Sequence, residues 1–327
     1  MTDVGLAARY AGLVCDLDGV VYAGPSAIEH SVEALNSLTV PVVYATNNAS
    51  RTPDEVGGHL RALGIAVDDD AVLTSSLAAA RVLAGDLPPQ SQVLAIGGAG
   101  VGAALRAVGL DPLTSGQAGE PVAVLQGYGP QVTAADLGEA AHAIRAGARW
   151  VATNDDPTLP TERGPAPGNG SLVAAVRLAV DVEPEVIGKP HPPMYEMAAR
   201  VLDVDPRHLL AVGDRLETDI RGAVDTGMAG ALVLTGVHGL EDAASAPADR
   251  RPVYVVQDLR GLHRDYPQGR REGEWFVRGE ARARVDDTLV VEGSGLDGMR
   301  ASLDAVWSAV DDGRITCEVA GALVANR

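Results

Sequence analysis

The stretch from Tyr10 to Tyr22, YAGLVCDLDGVVY, ends an apolar run in two aspartates one residue apart. Leu13, Val14 and Cys15 read as a covered strand, because a short apolar run with a β-branched residue suits the interior of a parallel sheet. Extended backbone alternates its side chains with a period of two, so Asp16 and Asp18 project to the same side. Gly19 lets the chain leave the strand by a turn that residues with a Cβ resist. Two carboxylates at the end of a buried strand are costly unless a cation offsets them, and a hard ion such as Mg2+ is the usual solution.

The rest of the chain alternates strand and helix signals. A helix is predicted near Ala27–Leu38, followed by the apolar run Val40–Ala45, in which Pro41 is tolerated only at the start of a strand. The polar loop Thr46–Ser50 follows. Pro53 opens a helix to about Leu63, with Thr52 as N-cap and Gly64 as the stop. Further strands are expected at Val93–Ile96, Val122–Gln126, Trp150–Ala152, Leu209–Val212, Ala231–Leu234 and Val253–Val256. Helices are expected near 100–108, 134–146, 171–180 and 218–225. Residues 154–170 are rich in Pro and Gly and read as a long ordered loop, of the kind that is often functional. Strands alternating with helices imply right-handed βαβ units and a largely parallel, helix-covered sheet.

A change of texture after residue 75, with more Gly and Ala and shorter strands, marks an insertion that ends near 187. The expected fold is therefore α/β: a Rossmann-like parallel-sheet core formed by 1–75 and 188–263, with an inserted α/β cap at 76–187. Residues 264–274 read as a linker. In 275–327, a hairpin around Asp286-Asp287, a helix over Leu296–Val310 and a last strand over Ile315–Val324 predict a small ββαβ extension.

Composition narrows the function classes. A chain of 327 residues has room for about two domains of ~100–200 residues, and 46% apolar with 21% charged residues favours a packed core over disorder. A net charge of −18 argues against nucleic acid as partner, and means that an anionic substrate needs a local positive site. No uninterrupted apolar run approaches the ~18 residues of a membrane span, so neither a membrane anchor nor a signal peptide is expected. Cys15 and Cys317 are the only cysteines, which suits a reducing cytoplasm. Among the 26 basic residues only Lys189 is a lysine.

Four polar pieces fall at strand ends: Asp16-Leu17-Asp18-Gly19, Thr46-Asn47-Asn48, Gly188-Lys189-Pro190, and Gly213-Asp214 with Glu217-Thr218-Asp219. Ligands of open α/β sheets bind outside the carboxyl ends of the strands. Each piece alone is weak, since an aspartate at a strand end is more often a turn or a cap. Together, in this order, they resemble the four motifs of the haloacid dehalogenase superfamily of phosphatases. DLDGV resembles the first motif, Thr46 the second, Lys189 the third and GDRLETD the fourth. TNNAS, ATNDDPTLP, PGNGSLVAAV and IGKPHPPMYE resemble the branch with a C2 cap, which holds the NagD-like, phosphoglycolate, pyridoxal-phosphate and 4-nitrophenyl phosphatases. The resemblance spans residues 10–262 and leaves out the tail.

The resemblance implies a Mg2+-dependent phosphomonoester hydrolase working through an aspartyl-phosphate. Asp16 would be the nucleophile and Asp18 the general acid and base. Asp16, the Asp18 carbonyl and Asp214 would hold the metal, with Asp219 behind them. The Thr46 hydroxyl, the Asn47 backbone N–H and the Lys189 ammonium would bind phosphate. Asn154, Asp156 and the loop Pro167–Ser171 are the candidates for selecting the substrate from the cap. Among family substrates a small alcohol phosphate such as glycerol 3-phosphate comes first, because composition and tail resemble the actinobacterial glycerol-phosphate phosphatases. Next comes 2-phosphoglycolate, and pyridoxal phosphate is less favoured. A second copy of the chain is a candidate partner. A phosphate-binding regulator without catalysis is the alternative class, but it would be expected to lack Asp16 or Asp18. A third class, a nucleotide-dependent oxidoreductase, rests only on Val93–Ala103, which carries a G-x-G-x-x-A pattern. It reads instead as a tight corner, because Glu120 is badly placed for a ribose.

Overall fold

Gly12–Cys15 forms the expected strand and is buried throughout. The computed structural model describes residues 4–161 and 163–326. They divide into two units, Met1–Val42 with Leu202–Arg327, and Val43–Val201.

In the first unit Gly12–Cys15 pairs in parallel with Leu209–Gly213, Cys15 opposite Val212. Leu209–Gly213 pairs in turn with Ala229–Val233, and that strand with Tyr254–Val256, all parallel. The register continues one residue further, where the Asp16 N–H donates to the Val212 carbonyl at 2.9 Å. Asp16 therefore leaves its strand beside Gly213, and Asp214 leaves the neighbouring one. A wide π-helical turn, Leu216–Ile220, then runs into the helix Arg221–Thr226. Gly227 stops that helix in the left-handed region, at φ 76°.

The tail departs from the expected ββαβ order. Four antiparallel strands, Arg270–Glu272, Trp275–Arg278, Ala281–Val285 and Leu289–Glu292, precede the helix Gly295–Asp311 and a second helix, Cys317–Ala325. The first of these strands lies in the segment read as a linker, and Gly279, at φ 55°, turns the chain between the next two. The predicted last strand is thus a helix. Its apolar run is too short for periodicity to separate the two forms. Local and tertiary terms then decide: the Thr316 hydroxyl caps the helix by accepting from the Val319 N–H at 3.3 Å. Gly321 lets it lie against the helix Leu240–Ser245, where a Cβ would come within 2.0 Å of Ser245 Oγ.

The tail shares a core with the sheet unit. Leu216, Ile220, Leu232, Ala243, Ala244 and Val255 pack in one cluster with Ala283, Val285, Ala301, Leu303, Val306 and Ala309. Polar links reinforce it. Trp307 Nε1 donates to the Ala243 carbonyl at 2.9 Å, and the buried Arg300 guanidinium donates twice to the Val255 carbonyl at 3.1 and 3.0 Å.

In the second unit Val42–Thr46 pairs in parallel with Val72–Thr74. The helix Pro53–Ala62 starts as predicted, with a capping box between Thr52 and Glu55. A five-stranded parallel sheet has the order Glu185–Val186, Arg149–Ala152, Ala123–Gln126, Gln92–Ile96, Asp111–Leu113. The segment 154–170, expected as a loop, contains an antiparallel hairpin of Thr158–Thr161 with Gly164–Pro167 and leads into the helix Asn169–Arg177.

Candidate active site

Carboxylate oxygens of Asp16, Asp214 and Asp219 lie within 4.8 Å of one another. Two strand ends and the π-helical turn bring them together. Asp214 is fully buried and Asp219 is 3% exposed, so the cluster is largely withdrawn from water. Glycines make the space for it. A Cβ on Gly19 would lie 2.3 Å from Asp214 Oδ2, and one on Gly236 would lie 2.0 Å from the same atom. At Gly213 a Cβ would meet the Asp219 side chain at 2.2 Å. The Val237 N–H donates to Asp214 Oδ2 at 2.7 Å, and the Arg215 N–H to Asp219 Oδ2 at 3.1 Å. Three acidic groups this close, two of them buried, repel one another unless a cation neutralises them. The donors are all hard oxygens, and the cradle is walled by glycines rather than side chains. This set fits Mg2+.

Asp18 takes a different position. It bridges to Tyr22, the turn closes with the Gly19 N–H donating to the Tyr22 carbonyl at 2.9 Å, and its side chain is exposed. Asp16, half-buried, contributes to the carboxylate cluster, and Asp18 stands on the exposed turn past the end of the strand Gly12–Cys15.

The remaining predicted residues lie in the second unit, where Asn47 is the hub. Its Nδ2 donates to Asp156 Oδ2 at 3.0 Å and to the Lys189 carbonyl at 2.9 Å, while its Oδ1 accepts from the Lys189 N–H at 2.8 Å. Its own carbonyl accepts from Asn154 Nδ2 at 2.8 Å and from the Ser75 hydroxyl at 2.9 Å. Thr46 is buried, and its hydroxyl accepts from the Asn48 N–H at 3.1 Å. Lys189 is 4% exposed, an uncommon state for a lysine. The structure thus brings Asn47, Asn154, Asp156 and Lys189 into one network.

Asn169, in the loop Pro167–Ser171 expected to face the substrate, joins this network, and two polar pairs outside the predicted site residues stand beside it in sequence. Asn169 Nδ2 donates to the Asn154 carbonyl at 2.7 Å and to the Gln126 carbonyl at 3.3 Å. His191 Nε2 meets Asp155 Oδ2 at 3.0 Å, and the Ser76 hydroxyl donates to the Ala49 carbonyl at 2.7 Å. Only the PGNGS loop carried a signal for any of them. The glycine corner after Gln92–Ile96 is closed to a dinucleotide. The Gly98 N–H donates to the Tyr128 carbonyl and the Gly100 N–H to the Ser50 carbonyl, both at 3.0 Å. A Cβ on Gly100 would meet backbone oxygens of Ala49 and Arg51 at 2.6 Å, so the fingerprint glycines serve close packing.

A family model for haloacid dehalogenase-like hydrolases matches residues 13–111, and a second HAD-hydrolase-like model matches 186–262. The chain belongs to the haloacid dehalogenase-like hydrolases, in their phosphatase branch. It is 44% identical over 313 residues to the D-glycerol 3-phosphate phosphatase of Mycobacterium tuberculosis, a match covering 93% of this chain and 88% of the relative. An acid sugar phosphatase of Staphylococcus saprophyticus is 35% identical over 254 residues, covering 77% of this chain and 96% of the relative. Among solved structures, the glycerol phosphate phosphatase of Mycobacterium tuberculosis in complex with magnesium superposes with a TM-score of 0.83. It is 41% identical, over 94% of this chain and 93% of that one. The p-nitrophenyl phosphatase of Archaeoglobus fulgidus follows the same fold with a TM-score of 0.73 and 28% identity, over 78% of this chain and 98% of that one. Among the described residues no helix is long and apolar enough to cross a membrane.

Proposed function

We propose that the chain hydrolyses D-glycerol 3-phosphate to glycerol and inorganic phosphate. The observation that carries the choice of substrate is coverage. The match to the D-glycerol 3-phosphate phosphatase takes in 93% of this chain, whereas the match to the acid sugar phosphatase takes in 77%. Small phosphorylated polyols as a class are supported by both relatives.

In the proposed reaction an Asp16 carboxylate oxygen attacks phosphorus, and the bond from phosphorus to the glycerol oxygen breaks. The Asp18 carboxyl protonates that departing oxygen as general acid. Asp18, now ionised, takes a proton from the water that attacks the phosphorus of the aspartyl-phosphate, which returns Asp16 to a carboxylate. The Thr46 hydroxyl and the Asn47 backbone N–H donate to the phosphate oxygens. The Lys189 ammonium neutralises charge there as a compact cation. Asp16, Asp214 and the Asp18 carbonyl would hold Mg2+, with Asp219 at their side. When bound, the ion offsets the repulsion between a carboxylate nucleophile and a phosphate dianion.

We infer that residues 76–187 act as the cap, since all five strands of the second unit's parallel sheet lie between Gln92 and Val186. A cytoplasmic setting is part of the proposal and is supported by the two free cysteines. Phosphate release with Mg2+ from D-glycerol 3-phosphate, its L enantiomer, 2-phosphoglycolate, pyridoxal phosphate and 4-nitrophenyl phosphate tests the reading. D-glycerol 3-phosphate is expected to give the highest kcat/KM, and Asp16→Asn to lose at least about a thousandfold in kcat. Full activity in Asp16→Asn would overturn the mechanism, and preference for another ester would overturn the substrate.

A further inference from the structure

We propose that Asn47 is a positioning residue that sets the place of Lys189, and that Asp156 fixes which way round the Asn47 amide points. The effect on turnover rests on the phosphatase reading above, but the geometry stands independently of it.

The Asn47 side chain pairs with the Lys189 backbone on both sides, as one strand residue pairs with another: Oδ1 accepts from the N–H at 2.8 Å and Nδ2 donates to the carbonyl at 2.9 Å. The two residues are 142 positions apart, so this pair of bonds registers the loop after Thr46 against the loop that carries the lysine. Gly188 permits the approach, because a Cβ there would lie 2.7 Å from Asn47 Oδ1. A lysine side chain is long and flexible. Fixing its backbone at both polar atoms, with the side chain itself buried, limits where the ammonium can sit.

An asparagine amide can point either way round, and its partners decide which. The second Nδ2 hydrogen goes to Asp156 Oδ2 at 3.0 Å. Rotating the amide by half a turn would set its oxygen against a carboxylate and against the Lys189 carbonyl, both acceptors. Asp156 is itself held in a ring. Its N–H donates to Asn154 Oδ1 at 3.2 Å, and Asn154 Nδ2 returns to the Asn47 carbonyl at 2.8 Å. Asn154 and Asp156, expected from sequence as substrate contacts, are therefore joined through Asn47 to the phosphate-binding lysine.

The test uses the full chain with Mg2+ and four variants: Asn47→Ala, Asn47→Asp, Asp156→Asn and the double variant Asn47→Asp/Asp156→Asn. Steady-state kinetics give kcat and KM, and hydrogen exchange read by mass spectrometry follows the Lys189 amide. Asn47→Ala is expected to speed exchange at Lys189 and to lower kcat/KM about tenfold to a hundredfold, with kcat falling and KM rising together. Asn47→Asp is expected to be worse, since it faces Asp156 with a like charge, and the double variant to recover part of that loss. Asp156→Asn keeps the shape of the site and guards against a folding defect. It is expected to speed exchange at Lys189 by a smaller factor. An unchanged Lys189 amide in Asn47→Ala and Asp156→Asn, or a double variant no better than Asn47→Asp, overturns the proposal. Faster exchange with wild-type kinetics overturns it too. If the wild-type chain releases no phosphate while exchange responds as expected, the functional reading fails and the positioning role stands.

Discussion

Lys189 and Asp214 show how single residues are confined by what surrounds them. Lys189 is buried between Gly188 and Pro190, and the planar fork of a guanidinium differs in shape and hydrogen-bonding from its compact ammonium. Lys189→Arg is therefore expected to lose nearly as much kcat/KM as Lys189→Ala, about a hundredfold or more, although the charge is kept. An arginine variant close to wild type would show that net charge alone suffices. At Asp214 the neighbours are glycines, and Gly236→Ala puts a methyl group where Oδ2 now lies. Its expected result is weakened Mg2+ binding in calorimetry together with a raised Mg2+ requirement for phosphate release. Unaltered Mg2+ affinity would mean that the carboxylate cluster is not the metal site. The four motif aspartates, Thr46 and Lys189 can be proposed from sequence because each stands in a short local pattern at or just after a strand end. The glycine at 236 and the pairing of Asn47 with Lys189 cannot be, because nothing near residue 47 in the chain announces a partner 142 positions away.

Elements were legible where the local and tertiary signals agree. Thr52, Pro53 and Gly64 mark the ends of one helix, and the structure follows them. Cys317–Ala325 was misread because its branched apolar residues suit either form, and its capping and its packing on Leu240–Ser245 settled the matter. The strand Tyr254–Val256 ties down two phenols, one buried and one half-buried: the Val255 N–H donates to the Tyr266 hydroxyl at 3.1 Å, and the Tyr10 hydroxyl bonds that of Tyr254 at 2.8 Å. Burial raises the pKa of both Tyr10 and Tyr266 above the ordinary tyrosine value. Because the folded pKa is the higher one, these groups stabilise the fold fully below about pH 10, and that contribution is lost as pH climbs through their folded values. Ultraviolet titration of the seven tyrosines should show a fraction that ionises late, together with unfolding. Seven ordinary titrations in a still-native chain would contradict the burial.

For the whole molecule, the informative fact is that the tail is not a separate body. Val285, Leu303 and Val306 fill one core with Ile220, Leu232 and Val255, and Arg251 pairs with Asp311 through two bonds of 2.8 Å. Ending the chain at Arg264 would uncover that apolar face. The truncated protein is expected to aggregate or to melt well below the full chain, as followed by light scattering and calorimetry. A soluble fragment with an unchanged melting temperature would show that the first unit closes without its tail. Leu303→Ala is a milder probe and should cost about 2–5 kcal/mol in denaturant melts, with kcat unaffected while the chain stays folded.

The burial of the one lysine also gives the molecule a built-in reporter. With a single side-chain amine, 4% exposed, acylating reagents have almost nothing on the folded side chains to modify. The mass added at Lys189 then counts openings of the second unit one molecule at a time. Any ligand that holds that unit closed will slow the count without a label ever having been introduced.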